Sequence, residues 1–279
     1  MDGLAGELTL SRPEPLDLSS LRERVECARR VLLALDFDGT VAPITACPED
    51  AFLPAETERA LFRLAASPGI TVAILSGRAM SDLSSRIDPE FIRAANHGLE
   101  IEGAGLHFAH VHARSLEPAV ERFCCRIEEM LEGVPGAWVE RKGPSSTVHY
   151  RQAPPDLAEW VEATVHHALG AYAWCLRVRA GRMVWEILPR VRWDKGKALD
   201  FIARHLGEPE PLIVCIGDDL TDEDMFVARP DAISIRVGHE QRSAARYSVA
   251  DPAEVTAVLE AVLAARASFS TPQLSQAIP

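Results

Sequence analysis

Apolar runs of about five residues, each ending in polar residues, alternate along this chain with stretches of helical period. Val31 to Leu35 is apolar at every position, the mark of a strand covered on both faces. Residues 70–75, 91–95, 212–216 and 232–237 read as further strands. Between them, 21–30, 54–66, a stretch ending near 87, and 196–206 carry a helical period; in 54–66 it is Ala60, Leu61 and Leu64 that recur, with Pro54 suited to a first turn. A last helix follows Asp251-Pro252-Ala253-Glu254, where Asp caps, Pro fits the first position and Glu completes a capping box; its apolar face is Val255, Val258, Leu259 and Val262. Prolines in 41–48 rule out a long regular element there.

From about 105 to 190 the rhythm is different. A helical pattern over 114–132 precedes two alternating segments, 137–142 and 146–151, turned by Gly143-Pro144. A helix over 156–169 and strands over 173–179 and 182–188 repeat that order. Two α-β-β units make a small antiparallel sandwich, inserted into a parallel α/β domain. The expected organisation is a flexible arm over 1–20, a core of 21–104 and 191–266, an inserted domain of 105–190, and a disordered tail over 267–279.

Charge and composition narrow the function. A formal net charge of −12 over 279 residues excludes a nucleic-acid surface, so an anionic ligand needs a local basic pocket. The first ten residues have neither a basic start nor a long apolar run, so neither a signal peptide nor a membrane span is expected. The six cysteines lack zinc-site spacing and are expected as reduced thiols in a cytoplasm.

The polar residues at the strand exits carry the chemistry: Asp36 and Asp38, Ser76, Asn96 and His97, then Asp218, Asp219 and Asp222. In a parallel sheet these clusters share the carboxyl edge, where ligands of such folds bind. Asp36 and Asp38, two apart on an extended chain, point the same way and repel unless a cation or a proton intervenes. Hard oxygen ligands without a His/Cys grouping favour magnesium. Residues 218–224 also read as an acidic helix start capped by Thr221, and both readings hold together.

Asp36-Phe-Asp-Gly-Thr-Val41, Ser76, Lys195 and Gly217-Asp-Asp-Leu-Thr-Asp222 resemble, in order, the motifs of haloacid-dehalogenase-superfamily phosphatases. The resemblance implies a Rossmann-like core with an inserted cap, and a two-step phosphoryl transfer. Asp36 is then the nucleophile, Asp38 the general acid and base, and Ser76 and Lys195 the groups that hold the phosphoryl oxygens, with Lys197 a competitor for the last role. Magnesium is implied on Asp36, the backbone carbonyl of Asp38 and Asp218, with Asp222 and Asp219 orienting its waters.

The cap resembles that of trehalose-6-phosphate phosphatases. The resemblance rests on Glu140-Arg-Lys142, on the run from His149 to Pro154, on Glu186 with Pro189, and on Gly-Asp-Asp-Leu-Thr-Asp-Glu. It implies sugar-hydroxyl contacts from Lys142, Glu186 and Glu140, with Arg78 and His97 facing the cleft; Arg78 alternatively covers the sheet edge. The implied function is hydrolysis of trehalose 6-phosphate downstream of a trehalose-phosphate synthase. The alternatives are a phosphatase of another sugar phosphate (glucosyl- or mannosyl-glycerate phosphate, or sucrose phosphate) and a non-catalytic sugar-phosphate regulator. Two departures from the family pattern stand out, the Gly143-Pro144 tip and Trp193-Asp194 before Lys195.

Overall fold

A computed structural model describes residues 10–45, 47–181, 183–238 and 242–269. The wholly buried strand β2 (Val31–Leu35) lies inside a nine-stranded sheet, because each of its side chains finds an apolar layer. Leu33 and Leu35 join Leu21, Leu61, Leu64, Val258 and Leu259 on one face, under helices α1 (Leu18–Cys27), α2 (Ala55–Ala65) and α9 (Pro252–Phe269). Leu32 and Ala34 meet Leu199, Ile202 and Phe226 on the other, under α7 (Lys195–Leu206) and α8 (Glu223–Ala228). This two-faced burial is what an unbroken apolar run demands.

In spatial order the sheet runs β1 (Glu14–Pro15), β13 (Tyr247–Val249), β12 (Ile233–Val237), β11 (Leu212–Gly217), β2, β3 (Ile70–Leu75), β4 (Ile92–Ala95), β5 (Glu100–Gly103) and β6 (Leu106–Ala109). Every pair from β1 to β4 is parallel, and β5 and β6 continue the sheet antiparallel. The second sheet orders β7 (Trp138–Arg141), β8 (Ser146–His149), β10 (Val184–Pro189) and β9 (Leu176–Gly181), antiparallel throughout. Helices α5 (Glu117–Met130) and α6 (Ala158–Leu169) cover one of its faces, with Phe123, Ile127, Val148, Val161, Val165 and Ile187 between. The α-β-β repeat and its antiparallel sheet are therefore present.

Four expectations need correction. Residues 10–20 are not a loose arm: β1 pairs with β13, and Asp17 caps α1 through the backbone N–H groups of Ser19 and Ser20. The core sheet reaches Ala109, so the cap begins beyond 105; β5 and β6 turn through Gly103-Ala104-Gly105, all at positive φ, and are too short to show a period. The helix expected over 114–132 is two, α4 (Val111–Ser115) and α5, which parts from it at Leu116 just before Pro118. The helix α9 runs on to Phe269, while 1–9 and 270–279 lie outside the described residues.

At the amino edge of the sheet, Arg266 of α9 donates to the carbonyls of Ala28 (2.7 Å), Arg29 (3.2 Å) and Pro68 (2.7 Å), tying the last helix to the entries of β2 and β3. Removing a charged donor from buried carbonyls costs about 2–3 kcal/mol. The Arg266→Met variant is expected to melt roughly 5–10 °C lower by calorimetry, with kcat unchanged, because the polar strand exits lie at the opposite edge.

Candidate active site

β2 and β11 are parallel neighbours, so Asp36 and Asp218 leave the sheet side by side. Gly39 makes their approach possible: its φ is +81°, and a Cβ there would lie 2.2 Å from Asp218 Oδ2. Asp222 enters from the turn before α8. Its Oδ2 accepts from the backbone N–H of Asp218 and of Asp219, each at 3.0 Å, which fixes the turn. Its Oδ1 accepts from Lys195 Nζ at 2.7 Å, and the same ammonium donates to Asp36 Oδ1 at 2.6 Å. Lys197, half exposed and paired with Asp194, does not reach these acids.

One carboxylate oxygen each from Asp36, Asp218 and Asp222 lies within 4.8 Å of the others, all buried. Burial pushes the Asp36 carboxyl well above the usual carboxylate range, and repulsion from Asp222 and Asp218 adds to this against the pull of Lys195. Burial acts to lower the Lys195 pKa, yet the charges of Asp222 and Asp36 and its hydrogen bonds to both raise it above the ordinary lysine value. Lys195 bridges two of the three carboxylates, and the clustered donors are hard oxygens of the kind a divalent cation selects.

Asp38 stands apart from this group. Its carboxylate is held by Arg78 in a two-pronged pair, Nε to Oδ2 at 2.7 Å and an Nη to Oδ1 at 2.6 Å. Arg78 also binds Asp82 at 2.5 Å and the Pro48 carbonyl at 2.8 Å, and lies over the Phe37 ring. Burial works against the charge on Arg78, but its bonds to Asp38 and Asp82 more than offset that. The guanidinium expected to face the cleft does line it, and there it shares its donors among Asp38, Asp82 and the Pro48 carbonyl. Ser76 is buried beside it and accepts from the Arg78 N–H at 3.2 Å.

The cap supplies the opposite wall. Strand register aligns Glu140 with Thr147 and Thr147 with Glu186, and alternation sends this row away from the apolar layer that holds Val148 and Ile187. All three residues line one cleft with Asp36, Lys195 and Asp218. Glu140 accepts from His149 Nε2 at 2.8 Å and lies 3.5 Å from Lys142 Nζ, which donates to the Gly77 carbonyl at 3.1 Å. Glu186 Oε1 lies 3.1 Å from His97 Nε2. Burial opposes the Glu186 charge, yet His97, Lys142 and Lys195 bring its pKa down to about 2.

Every residue expected from the sequence to bind or react lines this cleft except Asp222, which is fully buried behind Asp218 and Lys195. Four participants had been given no role: Asn96, Thr147, His149 and Arg151. Asn96 donates to the Lys142 carbonyl at 3.0 Å and accepts from Ser145 at 2.6 Å, and Arg151 donates to the Thr45 carbonyl at 2.7 Å, so both join core to cap. Their advance signals were a strand exit for Asn96, the run from His149 to Pro154 for His149 and Arg151, and for Thr147 only a place on the strand between those of Glu140 and Glu186.

The sequence model described as Trehalose-phosphatase matches residues 34–253. A trehalose-phosphate phosphatase of Mycobacterium marinum is 36% identical over 236 residues, 81% of this chain and 60% of that protein. An uncharacterized glycosyl hydrolase of Mycobacterium tuberculosis is 36% identical over 264 residues, which are 89% of this chain and 19% of the relative. The chain therefore spans only part of the length of these curated relatives. The structure of the C-terminal domain of Candida albicans trehalose-6-phosphate phosphatase superposes with a TM-score of 0.80 at 24% identity, covering 90% of this chain and 99% of that one. Matched in sequence from the end of β2 to the start of α9, and built on the same two-sheet fold, the chain belongs to the trehalose-phosphatase family.

Proposed function

We propose that this protein hydrolyses trehalose 6-phosphate to trehalose and inorganic phosphate, with a trehalose-phosphate synthase supplying the substrate. One observation carries the reading: the polar row Glu140–Thr147–Glu186 of the cap faces the Asp36–Lys195–Asp218 cluster across a single cleft. Hydroxyl-binding groups and phosphate chemistry thereby share one cleft. The free cysteines fit the cytoplasm, where such a substrate would be made.

An Asp36 carboxylate oxygen attacks phosphorus and the bond to the sugar oxygen breaks, leaving phosphate on Asp36. Asp38 gives its proton to the departing oxygen; later it takes one from the water that attacks phosphorus and frees Asp36. Arg78 aims Asp38 throughout, and to carry the proton Asp38 must release one of the two oxygens that Arg78 now holds. Lys195 and Ser76 hold the phosphoryl oxygens as charge shifts among them. Asp36, Asp218 and the Asp38 backbone carbonyl would hold magnesium, with Asp222 steadying them; when bound, the ion would supply Lewis-acid charge that brings two anions together. Lys142, Glu140 and Glu186 bind sugar hydroxyls, and their bridges to Gly77 and His97 close the cap and keep water away until the sugar leaves.

Three outcomes are expected. The Asp36→Asn variant loses at least about 1,000-fold in kcat, since a nucleophile acting as one of a set cannot be replaced by its neighbours; turnover near wild type excludes the covalent route. Chelation of divalent ions abolishes phosphate release, and added magnesium restores it where calcium, which prefers a larger and looser shell, does not. Across a panel of trehalose, sucrose, glucosyl-glycerate and mannosyl-glycerate phosphates, kcat/KM is highest for trehalose 6-phosphate. Equal rates on all members count against the sugar assignment.

A further inference from the structure

Trp193, one of the two departures from the expected pattern, lies between the Gly98 turn and the start of α7. Its indole stacks on Phe108 with centroids 4.9 Å apart and meets His110 at 5.4 Å and Phe201 at 6.2 Å edge-on. Its Nε1–H donates to the Gly98 carbonyl at 2.7 Å. The next residue, Asp194, caps α7 by accepting from the Lys197 N–H at 2.8 Å, and α7 opens with Lys195.

The turn held by the indole has an unusual backbone. Asn96, His97 and Gly98 have φ of 51°, 58° and 85°, a run of left-handed residues of which only the last is glycine. Such a turn persists only where its surroundings determine it. The Asn96 N–H donates to the Arg78 carbonyl at 2.8 Å and the His97 N–H to the Ser76 carbonyl at 2.9 Å, which fixes the entry. At the exit, a Cβ on Gly98 would lie 2.2 Å from the Ala198 Cβ and 3.4 Å from Trp193 Nε1, so the turn rests directly on α7 and the indole. From this turn His97 reaches Glu186, and Asn96 reaches the hairpin that bears Lys142.

We infer that Trp193 is a positioning residue for sugar recognition: by holding the Gly98 carbonyl, its indole N–H sets the left-handed turn from which His97 orients Glu186 and Asn96 orients the Lys142 hairpin. The inference rests on the sugar-phosphate reading above. Trp193 touches neither the three acids nor Lys195 through its side chain. Its effect therefore falls on binding of the sugar and not on the phosphoryl step.

The test compares the magnesium-loaded wild type and Trp193→Phe, which keeps the stacked ring and deletes the donor, on trehalose 6-phosphate and on p-nitrophenyl phosphate, which has no sugar. For the sugar ester KM rises about 5- to 20-fold, the range for one lost buried hydrogen bond, with kcat changed less than about threefold. For the aryl ester kcat/KM stays within about twofold. Combined with His97→Gln, the substitution raises KM by less than it does alone, because one of its two routes is already lost. Trp193→Tyr, which also displaces the donor, behaves like Trp193→Phe and serves if the latter does not fold. Parallel losses on both esters, an unchanged KM, or additive effects in the double variant overturn the inference. A wild type active on the aryl ester and on another sugar phosphate, but not on trehalose 6-phosphate, refutes the substrate instead; the Trp193 comparison is then read on that other sugar.

Discussion

Three buried carboxylates gathered around one buried ammonium constrain the rest of this molecule. Taking charge out of water is expensive, and it is tolerated only where partners return most of what hydration gave. Lys195 bridges Asp36 and Asp222, and Asp222 in turn receives two backbone N–H groups. Asp218 adds a third buried carboxylate, with one oxygen within 4.8 Å of those of the other two. Burial raises the Asp36 pKa, and repulsion from Asp222 and Asp218 adds to it. Hard oxygen donors held this close are a grouping that a divalent cation selects.

A sheet edge is a suitable place for such an arrangement. Parallel strands bring Asp36, Ser76, Asn96 and Asp218 to one border although they lie far apart in sequence, and the apolar layers on both faces hold the strands in register. The inserted domain uses the other periodicity of a strand. Alternate residues of β8 and β10 fill the layer under α5 and α6, and those between turn Thr147 and Glu186 to the cleft. A single two-residue repeat thus builds the cap's core and its recognition face together.

Contacts between the two parts are polar and specific. Lys142 to Gly77, Asn96 to Lys142, His97 to Glu186 and Arg179 to Asp224 cross the seam at its rim and floor. Making such contacts exchanges hydrogen bonds with water for hydrogen bonds with protein. Exchanges of that kind contribute modest net stability.

Much of this was legible in the chain. The unbroken run ending at Leu35, the α-β-β repeat after it, and the acids at the strand exits specified a parallel core, an inserted antiparallel cap and the carboxylate cluster, because each depends on a local period or on a residue at the end of one. What the sequence left undecided depends on neighbours distant along the chain. Short strands such as β1 and β13 exist because of their pairing, not their period. Arg78 could be placed near the cleft but not paired with Asp38, since forty positions separate them and only the adjacency of β2 and β3 closes that gap. His149 and Thr147 take their places from a register that alternation alone does not set, and Trp193 looked like an aberration until Gly98 lay beside it. Periodicity and chemistry are properties of the chain; which donor meets which acceptor is decided by the packing of elements, and that exists only once the whole is folded.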